Sequence, residues 1–221
     1  MPRQVDHDER RREIIKALWS LAGREGLSAV TFRNVAAEAN VSVRRIQYYF
    51  GDKAGLLKAA LQQLGERGFA RGLEAIADAG PEATVRQVLA SLFRTGLPLD
   101  EQSRQIGLLF YSFHVAAITD ADLGTVEARE VKRWTVPFAA ALIGQAQDEG
   151  GTRPGVEPGS EALILMSAFD GLSLDLLAGN RTDEEALSAI DYHLDRIFNG
   201  KPVAAVMPDP ASLGPHGTNR L

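Results

Sequence analysis

Apolar residues along this chain recur at three- and four-residue spacing, and no stretch alternates apolar with polar over the length of a strand. The pattern predicts an all-α fold. A first stripe, Ile14, Ile15, Leu18, Trp19, Leu21 and Ala22, places a helix over Asp8–Arg24 that Gly26 stops. Thr31 can cap a second, short helix whose core face is Val35, Ala36 and Ala39. Asn40-Val41 breaks it, Asn being one of the few residues that tolerates the left-handed conformation. Ser42 then caps a third helix in which Val43, Ile46 and Phe50 fall at i, i+3 and i+7, with Ile46 and Phe50 turned to the core. A fourth helix starts near Asp52, whose carboxylate can cap it, and runs to about Ala79 through Leu56, Leu57, Ala60, Leu64, Phe69, Leu73 and Ile76. The glycines Gly65, Gly68 and Gly72 soften that helix. After Pro81, helical patterns occupy about 82–96, 100–118, 120–149, 159–178 and 183–198. The tail, 199–221, holds four Pro, three Gly and few apolar side chains, and is expected to be disordered.

The polar positions of the third helix carry the chemistry. Arg44, Arg45, Gln47, Tyr48 and Tyr49 are left to face outward once Ile46 and Phe50 are buried. Two guanidinium forks, an amide and two phenols on one short helix match the base edges and phosphates of a major groove. Lys53 lies in the first turn of the next helix, where the helix dipole favours anions, and a phosphate contact would account for a cation there. Residues 31–53 therefore read as a helix-turn-helix. Arg3 and the run Arg10-Arg11-Arg12 are either a DNA-contacting arm or a solvated helix start diluted by Asp6, Asp8 and Glu9.

The string V-S-V-R-R-I-Q-Y-Y-F-G-D-K, preceded by T-x-R-x-V-A-x-x-A, is similar to the signature of TetR-type transcriptional regulators. Asn40 stands where that family usually has Gly, Arg44 where a small residue is common, and Gln47 where Tyr is usual. The last two alter the reading head and bear on which operator is read. The stretches LPLDEQSR and DGLSLDLLAG resemble the ligand-binding half of the BetI-like branch over roughly residues 82–198. The resemblance implies an N-terminal three-helix DNA-binding domain over 1–51 and a larger helical ligand-binding and dimerisation domain over 52–198. It implies a homodimer on a palindromic double-stranded operator, acting as a repressor and released by a small-molecule effector. The DNA-contacting candidates are Thr31, Arg33, Ser42, Val43, Arg44, Arg45, Gln47, Tyr48, Tyr49 and Lys53.

Net charge changes this picture only when divided. The chain of 221 residues carries −5 overall, but residues 1–58 hold 11 Lys/Arg against 7 Asp/Glu, and residues 59–221 hold 13 against 22. A small basic head can approach phosphates while an acidic body limits non-specific binding. There is no cysteine, which excludes disulfides and thiolate chemistry, and no apolar run approaches the roughly 20 residues a membrane span needs. The polar N-terminus offers no secretory segment, so a cytoplasmic protein without membrane contact is expected.

The last helix places Leu187, Ile190, Leu194 and Ile197 on one seam, and the helix before it offers Leu163, Met166, Asp170, Leu174 and Leu177, with Gly171 allowing close approach. Two such helices from each of two copies would form a four-helix interface; the alternative is that both stripes bury inside one chain. The effector candidates are Phe93, Phe110, His114, Trp134, Phe138, Met166 and Asp170, in a body rich in aromatic residues where Pro137 should kink a helix. A plain packed core explains the same residues, and a helix-turn-helix protein that senses no small molecule is the alternative function. An enzyme is not indicated. His7, His114, His193 and His216 never pair at metal-binding spacing, and no nucleophile elbow, phosphate loop or dinucleotide fingerprint occurs. No cofactor or metal is expected.

Overall fold

The computed structural model describes residues 2–119 and 126–207, with the backbone alone for residues 2–6, 117, 119 and 126–134. Among the described residues there are nine α-helices: α1 (Pro2–Glu25), α2 (Phe32–Glu38), α3 (Val43–Phe50), α4 (Lys53–Ala79), α5 (Val85–Gly96), α6 (Glu101–Thr119), α7 (Val126–Asp148), α8 (Pro158–Ala178) and α9 (Asp183–Ile197). Among the described residues the only β-type pairings are two isolated bridges, so the described chain is all-α. α1 begins six residues before the point where its apolar stripe suggested. The glycines in α4 do not interrupt it, because the helix keeps an apolar face that includes Leu56, Leu57, Leu64 and Ala75, all buried.

The chain divides into two compact units, Met1–Glu66 with Leu108–Ala128, and Arg67–Gly107 with Arg129–Leu221. α4 and α6 each contribute to both, so the division does not follow the boundary at residue 51 that the resemblance implied. In the first unit Ile14 and Leu18 of α1, Val35 of α2, Ile46 of α3 and Leu56 of α4 are fully or almost fully buried. α1 and α2 are also tied at the surface, where Arg24 Nη2 donates to Glu38 Oε2 at 2.9 Å and Ser20 donates to Glu38 Oε1 at 2.9 Å.

In the second unit, α5, α7, α8 and α9 enclose a core that includes Leu89, Phe93, Ile143, Leu165, Leu176 and Leu194. α5 and α9 each start on a reciprocal capping box, Thr84 with Gln87 and Thr182 with Glu185, which satisfies helix donors that would otherwise be orphaned. Glu157 caps α8 by accepting from Ser160 N at 2.8 Å. Hydrogen bonds from Ser160, its side chain first and then its backbone N–H, hold the Glu157 carboxyl below its ordinary range.

Two expectations are corrected here. Ile190, Leu194 and Ile197 are buried in the second unit's own core, and Leu187 packs against it, so this seam is not left free for a second copy. Its three- and four-residue spacing records burial without saying on which partner. The start of the tail is also ordered through Met207. Val85 N donates to Val203 O and Ala205 N to Ala83 O, both at 2.9 Å, and Asn199 Nδ2 donates to Gly150 O and Thr152 O. Val203 is buried in the groove this makes. Gly151 is required beneath it, since a Cβ there would meet Val203 Cγ2 at 2.5 Å and Ala146 O at 3.1 Å. The rest of the tail lies outside the described residues.

Candidate nucleic-acid interface

Three side-chain caps shape the segment from Thr31 to Gly55. Thr31 Oγ1 accepts from Asn34 N at 3.1 Å and starts α2; Ser42 Oγ accepts from Arg45 N at 3.2 Å and starts α3. Between them the chain reverses through Asn40 at φ 51°, and Val41 N donates back to Ala36 O at 2.9 Å. α3 ends at Gly51 with φ 75°. Asp52 Oδ1 accepts from Gly55 N at 2.8 Å and starts α4. Gly55 is dictated by closeness: a Cβ there would meet the Phe50 carbonyl oxygen at 2.2 Å.

With Ile46 and Phe50 anchored in the core, α3 exposes Val43, Arg44, Arg45, Gln47 and Tyr48, with Tyr49 half-buried beside them. Arg33 on α2 and Lys53 at the start of α4 are exposed as well, as are the two cap residues Thr31 and Ser42. Arg33, Arg44, Arg45 and Lys53 make no ion pair among the described residues. Arg24, by contrast, is held by Glu38 and Glu25. The Glu38 hydrogen bond raises the Arg24 pKa, and Arg24, followed by Ser20, lowers that of Glu38. Glu25 and Glu38 are thus engaged by Arg24 rather than by the cations around α3, which are left to meet an external anion. Sequence reasoning gave Arg11 only as part of a possible DNA-contacting arm and missed His7; both α1 side chains contact α3 aromatics.

The effector candidates separate. Phe93 is buried in the second unit and pairs with Phe169 at 5.6 Å, and Phe138 and Met166 pack against the same core. Asp170 is partly exposed on α8. Phe110 and His114 lie in the first unit, with ring centroids 4.6 Å apart. The Trp134 side chain lies outside the described residues. Of the dimer candidates, Leu163 and Leu174 are about half exposed on α8, and Gly171 between them has open space where a Cβ would be.

Residues 14–60 match the model of the bacterial regulatory proteins of the tetR family, and residues 81–199 match the C-terminal model of BetI-type transcriptional repressors. The chain belongs to the TetR family. This is a family of transcriptional regulators rather than enzymes. The HTH-type transcriptional regulator BetI of Burkholderia mallei is 35% identical over 204 residues, 90% of this TetR-family chain and 98% of that protein. The HTH-type transcriptional regulator PksA of Bacillus subtilis is 30% identical over 126 residues, 55% of this chain and 60% of PksA. The chain thus spans less than two thirds of PksA. Among solved structures, the multidrug binding protein EbrR complexed with ethidium aligns with a TM-score of 0.61 and 29% identity, over 83% of this chain and 98% of that one. No helix among the described residues is long and apolar enough to cross a membrane.

Proposed function

We propose that this TetR-family protein is a ligand-responsive repressor that binds a palindromic operator as a homodimer and is released by a small molecule. The observation that carries the reading is the outer face of α3, where two unpaired guanidinium groups, an amide and two phenols stand beside Lys53 with no acidic partner among the described residues. Such a face supplies both base-edge donors and phosphate contacts. One helix of eight residues reads few base pairs, so two copies spaced one helical turn apart are needed for an operator. The outward apolar residues of α8, Leu163 and Leu174, support pairing with a second copy, and the small Gly171 would let two such helices approach closely.

The aromatic core of the second unit supports effector binding, as does the likeness to EbrR, a protein solved with ethidium. α4 begins among the DNA-contacting residues and runs continuously into the second unit, and it is the element through which an effector would reach the reading head. Coupling of about 1–3 kcal/mol is typical of such linkage.

The test is selection of duplexes from a randomised pool, followed by titration by fluorescence anisotropy. An imperfect palindrome should emerge. Arg44→Ala or Gln47→Ala should then change the preferred base at a position within each half-site. A pool that yields no preferred sequence, or variants whose preference is unaltered, would refute the reading.

A further inference from the structure

His7 and Arg11 sit one turn apart on α1, ahead of the stripe that buries Ile14 and Leu18. Residues 7–13 are all exposed, so this part of α1 adds little to the core. It reaches α3 instead. The His7 ring lies 5.5 Å from that of Tyr49, edge-on at 71°, and 6.2 Å from that of Tyr48. Tyr48 and Tyr49 meet each other at 5.4 Å and 73°. One turn further on, the Arg11 guanidinium carbon stands 5.2 Å over the Phe50 ring. Edge-to-face rings at these separations attract through their quadrupoles. Tyr48 is 74% exposed, and the ring contacts that hold it are those with His7 and Tyr49. A phenol already held in place loses less conformational freedom on binding than one that swings in solvent.

We propose that His7 is a positioning residue of the reading head: its ring fixes the Tyr48–Tyr49 pair, and so places the two phenol hydroxyls that meet DNA. The inference rests on the DNA-binding reading and adds to it a specificity role for a residue outside the helix-turn-helix. His7 acts as a ring and not as a charge.

The experiment titrates the unaltered protein, His7→Ala and His7→Phe against the duplex that the unaltered protein selects from a randomised pool, and against its single-base variants, over a range of salt. His7→Ala should weaken the selected duplex about two- to tenfold, the worth of one aromatic pair. It should also narrow the gap between that duplex and its variants, with the salt slope unchanged because no phosphate contact is lost. His7→Phe keeps a ring and should stay within about twofold of the unaltered protein. The proposal falls if His7→Ala binds normally, or if His7→Phe is as weak as His7→Ala. A salt slope reduced by about one would make His7 a phosphate contact and also overturn it. A DNA-free arm reads the His7 ring protons by NMR, which should shift when Tyr49→Leu removes the ring current; no shift would mean no ring contact and would sink the proposal. A pool without a preferred duplex removes the DNA-binding reading, and this proposal with it. The ring-current shift would persist in that case, which tells the two failures apart.

Discussion

Gly55→Ala probes the junction that sets α3 against α4. The new Cβ would lie 2.2 Å from the Phe50 carbonyl oxygen and 3.4 Å from Asp52 Oδ1, where about 3.5 Å is an ordinary separation. A backbone oxygen cannot swing aside as a side chain does. It also accepts from Asp52 N at 3.0 Å, while the Asp52 carboxylate accepts from Gly55 N at 2.8 Å. Relieving the clash strains both bonds. The backbone hydrogen bond is worth about 1 kcal/mol, the cap about 1 kcal/mol, and overpacking costs about 1–3 kcal/mol. These terms overlap, so a loss of about 2–4 kcal/mol is expected. Gly68→Ala in the same helix is the control, because a Cβ there meets nothing within 4 Å; it should stabilise by about 0.5–1 kcal/mol. Urea unfolding followed by circular dichroism reads both. A Gly55→Ala protein within about 0.5 kcal/mol of the unaltered one, the range of an ordinary surface change, would refute the reasoning.

The remaining predictions address packing and charge. Leu194→Ala, at a position with no exposure in the second unit's core, should cost about 2–5 kcal/mol in urea unfolding. Leu174→Glu, at a half-exposed position on α8, should leave unfolding nearly unchanged and shift sedimentation towards the monomer; a dimer that persists would contradict pairing through this face. Glu38 has its pKa lowered, so the stabilisation from its bonds with Arg24 and Ser20 is present above the ordinary value of 4.5 and is lost as pH falls through the folded value. The difference in Tm between the unaltered protein and Glu38→Gln should therefore shrink on acidification, and a difference constant with pH would contradict the assignment.

The helix-turn-helix was legible because its information is local. Thr31, Ser42 and Asp52 are polar caps that act within three residues of their own position, and each makes the bond its place in the sequence suggests. The burial of Ile46 and Phe50 follows from helix periodicity in the same way. The α9 seam was misjudged because periodicity identifies an apolar face without naming what covers it. Val203 and its neighbours were missed because their partners, Ala83, Val85 and Gly151, lie 50 to 120 residues away and bond through backbone groups that composition does not reveal. His7 was hidden by the charged residues around it, which obscured the early start of α1 and the turn that carries its ring to Tyr48 and Tyr49.

Salt-dependent titration of Lys53→Ala against the pool-selected duplex and a scrambled one tests most directly whether the face around α3 binds DNA. Lys53 is exposed at the start of α4 with no ion pair among the described residues. The account predicts that both duplexes weaken alike, that base preference is kept, and that the slope of log K against log salt falls by about 0.9 for each lysine that leaves a phosphate. An unchanged slope, or a loss confined to the selected sequence, would contradict it.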